Sequence, residues 1–233
     1  MRRSRRLNAL IVLTGTLLGG CAVDMDERTP QFLLIVRERL RPGSEEAYDK
    51  NELQLATVCA TLKCPHPYLA LATVTGPREV WWFNAFASQE ERDSLDAAYA
   101  RNQPLMTAMR PFGKRKEDLR ESITSTMTEF RRDLSTSTLR IDGARFLIIA
   151  AAQDKRTAIG AVFQATDGRR FVIASAGERG VAEDLGAQIG PEATMLAVHP
   201  QWSFPDEAWI AADPGFWRSG LVARSPWASR GSL

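Results

Sequence analysis

The chain has 233 residues, 44% of them hydrophobic and 25% charged, with 30 basic residues against 28 acidic ones. This is ordinary globular composition, long enough for one large domain or two small ones, and it excludes a disordered chain and a multi-span membrane protein. The even charge balance leaves no clustered basic surface of the kind nucleic acid requires as a partner.

Residues 1–20 do not belong to the fold. MRRSRR is a basic leader and residues 7–18 form a short apolar core, right for a secretory signal peptide, whereas a membrane span needs about 20 apolar residues. The core ends in Leu18-Gly19-Gly20-Cys21, which resembles the lipobox of bacterial lipoproteins. An ordinary cleaved signal with a coincidental cysteine is the alternative. The resemblance implies lipidation of Cys21 and a chain anchored on the periplasmic side of the bacterial cell envelope. Ala22 in place of an aspartate implies the outer membrane. Each buried acyl methylene is worth about 0.8 kcal/mol, so such a protein is tethered to the membrane and not embedded in it. Removing the leader takes four of the 30 basic residues and leaves 26 against 28 acidic ones, a net charge of −2.

Residues 21–30 read as a polar tether, and QFLLIVRERL at 31–40 as a strand closed by Pro42-Gly43. Ser44 can cap a helix with Glu45 and Glu46 in its first turn and an apolar stripe of Tyr48, Leu55, Val58, Cys59 and Leu62. On that helix Asn51 and Glu52 read as solvated positions. Pro65 disfavours helical geometry at Cys64, so the helix should end near Leu62. Cys59 and Cys64 cannot both be mid-helix and bonded, but a chain that turns back after Leu62 can pair them. A structural disulfide there, closing so short a loop, adds about 2 kcal/mol. Free thiols or a metal site with His66 are the alternatives, and C-x4-C-x-H matches no common zinc spacing. We therefore expect no metal. His66, between two prolines, reads as an exposed loop residue, and His199 as a strand-end residue without a legible partner.

Two strands follow at 68–74 and 79–87 around the hairpin signal Thr75-Gly76-Pro77-Arg78. The second contains Trp81 and Trp82 side by side, which demands apolar cover on both faces, since successive side chains of a strand point to opposite sides. A two-residue loop at Gly76-Pro77 would set Ala72 opposite Trp81, Ala70 opposite Phe83 and Tyr68 opposite Ala85. That face is expected under the helices, leaving Trp82, Asn84 and Phe86 for the other side together with Leu33, Ile35, Arg37 and Arg39 of the first strand. Ser88-Gln89-Glu90-Glu91 is a capping box, so a helix should run from there to about Arg101. Asn102 and Pro104 restart a short helix, and Pro111-Phe112-Gly113 should stop it. Lys114-Arg115-Lys116 reads as a solvated turn, and 123–133 supplies a fourth strand.

The resulting β-α-β-β-α-β order over residues 31–134, with the aromatic strand Trp81-Trp82-Phe83-Asn84 leading into a helix, resembles the dimeric α/β-barrel proteins, among them antibiotic-biosynthesis-monooxygenase-like domains. The resemblance implies a ferredoxin-like α+β domain whose sheet closes a barrel with a second sheet. That sheet can come from a homodimer partner or from the same chain. It also permits a cofactor-independent oxygenase.

After a polar linker at 135–143, residues 144–212 read as a smaller α+β domain or a degenerate second copy. Its elements are a strand at 145–152, a hairpin of 159–166 and 170–176 around Asp167-Gly168, a helix at 178–189, and strands at 193–198 and 207–211. EAWIAADP weakly matches EVWWFNAF. Residues 213–233 form a tail. The chain has no G-x-S-x-G, H-E-x-x-H or phosphate-binding loop.

Two functions follow. One is a non-catalytic envelope lipoprotein that binds a small apolar ligand or a protein partner. The alternative is a cofactor-independent monooxygenase-like enzyme with Trp82, Asn84, Phe86 and Arg37 at an apolar pocket for an aromatic substrate. A subunit interface filled by the aromatics, with Asn84 at a sheet edge and Arg37 and Arg39 reaching solvent, is the plainer account of the same residues.

Overall fold

The computed structural model describes residues 29–152 and 159–218. The signal, Cys21, most of the tether and the end of the tail lie outside them. The elements are β1 (Phe32–Leu40), α1 (Glu45–Leu62), β2 (Leu69–Thr73), β3 (Glu79–Phe86), α2 (Gln89–Arg101), α3 (Gln103–Leu119), β4 (Arg120–Phe130), β5 (Phe146–Ala151), β6 (Ala161–Ala165), β7 (Arg170–Ala176), α4 (Arg179–Ile189), β8 (Thr194–Val198), α5 (Glu207–Ala212) and α6 (Pro214–Arg218).

The eight strands close into one antiparallel barrel in the order β1-β3-β2-β8-β5-β7-β6-β4. Residues 31–134 supply the run β4-β1-β3-β2 and the later segment supplies β8-β5-β7-β6, the same order counted from its own first strand. The seams are short, Leu71↔Val198 to Thr73↔Leu196 on one side and Thr128↔Ala165 to Phe130↔Phe163 on the other. The barrel thus closes within one chain. The interior is packed by alternate residues of both segments, including Leu33, Ile35, Leu71, Trp81, Phe83, Leu147, Phe163 and Leu196. Leu139 and Ile141 join them, so the stretch expected to be a polar linker contributes to the core.

The two tryptophans are covered on both sides, but the other way round from the sequence expectation. Strands β2 and β3 pair Ala72 with Val80, Leu71 with Trp81, Ala70 with Trp82 and Leu69 with Phe83, one residue out of the expected register. The cause is local. The Oγ1 of Thr73 donates to the carbonyl of Pro77 at 2.7 Å and accepts the amide of Glu79 at 3.1 Å. This closes a longer loop with Gly76 at φ 81°, a left-handed conformation that suits glycine. A one-residue slip exchanges the faces of a strand. Trp81, Phe83 and Ala85 therefore point into the barrel, while Trp82, Asn84 and Phe86 lie on its outer face. The rule of small opposite large survives, since Ala70 and Ala72 make room on the helix side for Trp82 and Tyr48. On β1 the expected alternation holds, with Leu33 and Ile35 inside.

Helix α1 ends as expected, with Lys63 in the left-handed region and Cys59 bonded to Cys64 across 4.7 Å between Cα atoms. Helix α2 begins at its capping box, Ser88 accepting from the amide of Glu91. Three expectations fail. Helix α3 runs through Pro111 to Leu119, because Pro111 and Thr107, whose carbonyl loses its partner there, both lie on the exposed side where water can serve. Lys116 is consequently a buried helical residue and not part of a solvated turn. Residues 207–211 are helical, because Asp206 accepts from the amide of Trp209 and starts α5, so the match to the β3 sequence has no structural counterpart.

Replacing Trp81 with Ala would hollow the barrel centre. The unfolding free energy in urea is expected to fall by about 3–5 kcal/mol.

Candidate functional site

Two places concentrate chemistry. The first lies on the outer face of the sheet, where α1 and α3 cover β1 and β3. Glu38, buried, accepts from Tyr48 Oη, from Arg120 at 2.6 Å and from Trp82 Nε1 at 3.3 Å, and lies 2.9 Å from Lys116 Nζ. The same ammonium reaches Glu52 at 3.3 Å and sits 4.5 Å from the centre of the Trp82 ring. Asn51 donates to Glu52 at 3.1 Å. Asn51 and Glu52, expected on a solvated face, are both fully buried.

One lysine between two carboxylates splits their behaviour. Burial pushes Glu38 up, but Lys116, Tyr48 and Arg120 outweigh it and hold the carboxyl below its ordinary value. Burial raises Glu52, and Lys116 and Asn51 offset this only in part. Tyr48 is pushed well up by burial and by the two carboxylates, so it remains a hydrogen-bond donor.

The second place is a cleft of about 490 Å3 at the end of the barrel where β1 begins and β3 ends. Its apolar lining includes Pro30, Pro67, Phe86, Ile141 and Trp209, and its charged lining is Glu91, Asp142 and Asp206. Directly behind stands His66. The ring is 5% exposed, contrary to the exposed loop expected, and packs 4.5 Å from the ring of Phe86. Its Nε2 is 3.4 Å from Glu91 Oε1, off the hydrogen-bond line, and neither ring nitrogen makes a hydrogen bond among the described residues. Glu91 itself is oriented by accepting from the amide of Ala87 at 2.7 Å through Oε2.

The disulfide places His66. Cys64 is two residues away, bonded to the last turn of α1, and Asn102 Nδ2 donates to the carbonyl of Leu62 at 3.0 Å. The other histidine, His199, is stacked at 3.7 Å on Trp202, and burial pushes its pKa down to about 4. That ring is neutral packing.

Of the residues singled out from sequence, Phe86 lines the cleft, while Trp82 and Asn84 lie farther back on the same outer face. Arg37 is on the inner face near the other end of β1, held by Glu79 at 2.7 and 2.5 Å and 5.2 Å from the Trp81 ring centre. Arg37 and Asn84 therefore do not converge. His66 and Glu91 were legible only as a loop residue and a helix cap, because nothing local says that the loop folds back onto α2. Among the described residues no group of three or more His, Cys, Asp or Glu side chains is placed to hold a metal ion.

No family model matches the chain, and no curated protein matches it. Three solved structures resemble it in fold. A Fusobacterium nucleatum protein, provisionally named a monooxygenase, is 8% identical with a TM-score of 0.46, covering 74% of this chain and 93% of its own. A Lactobacillus acidophilus protein under the same provisional name is 9% identical at TM-score 0.44, covering 73% and 94%. An anthrone oxidase-like protein is 11% identical at TM-score 0.41, covering 86% and 89%. The barrel described above rests on this chain's own strand pairing. These structures carry the names of enzymes, which are said of those proteins alone, and none is a non-catalytic binding lipoprotein, so that expectation is withdrawn.

The buried pair of carboxylates predicts a contrast. Glu38 stabilises the fold above its ordinary 4.5, and this contribution is lost as pH falls through its depressed folded value. Glu52 costs stability at neutral pH, a cost relieved as pH falls through its raised value to its ordinary 4.5. Glu38→Gln should therefore lose about 3 kcal/mol at neutral pH, with the loss shrinking in acid, whereas Glu52→Gln should be neutral or stabilising. Denaturation curves at several pH values check both.

Proposed function

We propose that the protein is a cofactor-independent, monooxygenase-like enzyme acting on a small aromatic substrate in the cleft at the end of its barrel. The observation that carries this reading is His66. It is a buried imidazole whose nitrogens make no hydrogen bond among the described residues and whose Nε2 stands 3.4 Å from Glu91, a carboxylate of the cleft. A buried polar group without a partner costs about 1–3 kcal/mol and calls for a use.

The chemistry needs no outside reductant. A phenol in the cleft gives its proton to Glu91 Oε1, and His66 Nε2 takes it on. The phenolate passes one electron to O2, the phenoxyl and superoxide radicals join at a ring carbon as a peroxide anion, His66 returns the proton to it, and the hydroperoxide loses water with the hydrogen of that ring carbon. Overall a phenol and O2 become a quinone and water. Phe86 and Trp209 supply apolar walls that keep the anion from being resolvated. Phe86 belongs to this site from among the residues read in the sequence, while Trp82 and Asn84 support the sheet behind it and Arg37 is structural.

The finer architecture and the location belong to the same proposal. The matching strand orders of 31–134 and 144–198 support two ferredoxin-like copies, the second degenerate. The Cys59–Cys64 bond supports an oxidising compartment, in keeping with export and a lipid anchor on Cys21 at the periplasmic side of the outer membrane. Mass spectrometry of the mature protein is expected to find an acylated Cys21 as its first residue.

Oxygen uptake with a panel of one- and two-ring phenols tests the activity. Turnover should consume one O2 per quinone formed without releasing peroxide. His66→Asn should lower it by about 10²-fold or more with the near-ultraviolet circular dichroism unchanged. Uptake equal to wild type in that variant would remove His66 from the reaction. Cys59→Ser should lower turnover by a smaller factor, because it frees the loop that carries the ring.

A further inference from the structure

Among the described residues, the charged side chains that line the cleft all carry the same sign. Glu91 comes from the first turn of α2, Asp142 from the connector before β5, and Asp206 from the residue that starts α5, so three distant parts of the chain bring carboxylates to one apolar hollow. Neither lysine nor arginine is among the described residues that line it. Arg140 holds both oxygens of Asp142, at 3.4 and 3.0 Å, from a side chain that is 57% exposed and is not among the lining residues. Glu91 and Asp206 each spend one oxygen on a backbone amide, Ala87 and Trp209 respectively, which cancels no charge, so these two carboxylates keep the cleft negative. Behind Glu91 stands the buried His66, whose Nδ1 has no hydrogen-bond partner among the described residues. Phe86 and Trp209 add two aromatic rings, whose faces also attract cations.

We propose that the cleft selects aromatic molecules bearing a protonated amine: the ring lies between the apolar walls and the ammonium meets the carboxylates of Asp142 and Asp206. This deepens the enzyme reading by naming the substrate class, and it rests on that reading only for the site. A volume of about 490 Å3 suits a one- or two-ring body with a short arm. The carboxylates of a partly enclosed hollow repel an anionic arm on the ring and leave a neutral arm without a partner, while the phenol end, whose proton passes to Glu91 and His66, stays apart from Asp142 and Asp206.

Calorimetric titration of the whole protein with three phenols of one shape separates the possibilities. Tyramine carries the ammonium, 4-ethylphenol is neutral, and 3-(4-hydroxyphenyl)propionate is anionic. Tyramine should bind about tenfold more tightly than 4-ethylphenol, and the anion more weakly than either. The preference should shrink as salt rises past about 0.15 M. In the double variant Asp142→Asn with Asp206→Asn, tyramine should fall to the level of 4-ethylphenol, asparagine still serving as a helix cap. If the three phenols bind alike, or the anion binds best, the charge selection is overturned while the cleft remains a phenol site. If none binds, both this inference and the proposed enzyme fall.

Discussion

A single threonine hydroxyl decides which tryptophan lies inside the barrel. By bridging Pro77 and Glu79, Thr73 closes the β2–β3 loop around Gly76 and sets the register of the two strands. With that register, Trp81 and Phe83 meet the residues of the second segment, and Trp82 and Phe86 meet the helices. A slip of one position would send Ala70 and Ala72 into the interior and leave a void, while Leu69 and Leu71 would collide with Tyr48 and Trp202. Everything at the cleft inherits this choice, because Phe86 reaches His66 only from the outer face.

The helix side of β3 is held by charge as well as by packing. Burying Glu38, Glu52 and Lys116 together costs solvation that their mutual attraction repays only if every lone pair and proton finds a partner. Here Tyr48, Arg120, Asn51 and Trp82 complete most of the set. The arrangement fixes where α1 and α3 sit on the sheet. Since α1 ends at the disulfide and α3 begins at Asn102, which bonds back to Leu62, the same network indirectly seats the loop that carries His66.

What could be read from the sequence was what is written locally. Helix α1 and its end, the capping box at Ser88, the Asp167-Gly168 hairpin and the pairing of Cys59 with Cys64 all follow from neighbours within a few positions. So did the need for cover on both faces of Trp81 and Trp82. The hairpin register was not legible, because a side-chain bridge and not a standard two-residue turn sets it. Pro111 misled because its cost depends on which side of the helix faces water, a tertiary fact. Glu52, Lys116 and His66 were assigned to solvent by ordinary tendencies of charged and loop residues, and only the packing of α1 against α3 and of the 63–68 loop against α2 reverses that. The cleft assembles Glu91, Asp142 and Asp206 from separated segments, and no spacing rule could have joined them.

The seams of the barrel carry a kinetic implication. Leu71 completes its sheet with Val198, and Thr128 with Ala165. Until the C-terminal third of the polypeptide has emerged from the ribosome, the first four strands are a half-cylinder with two raw edges and an uncovered row of large apolar side chains. Such a nascent intermediate is adhesive, since unpaired strands invite foreign ones. Joining both halves in one polypeptide spares the molecule a search for a second subunit, at the expense of a vulnerable interval before the second half arrives.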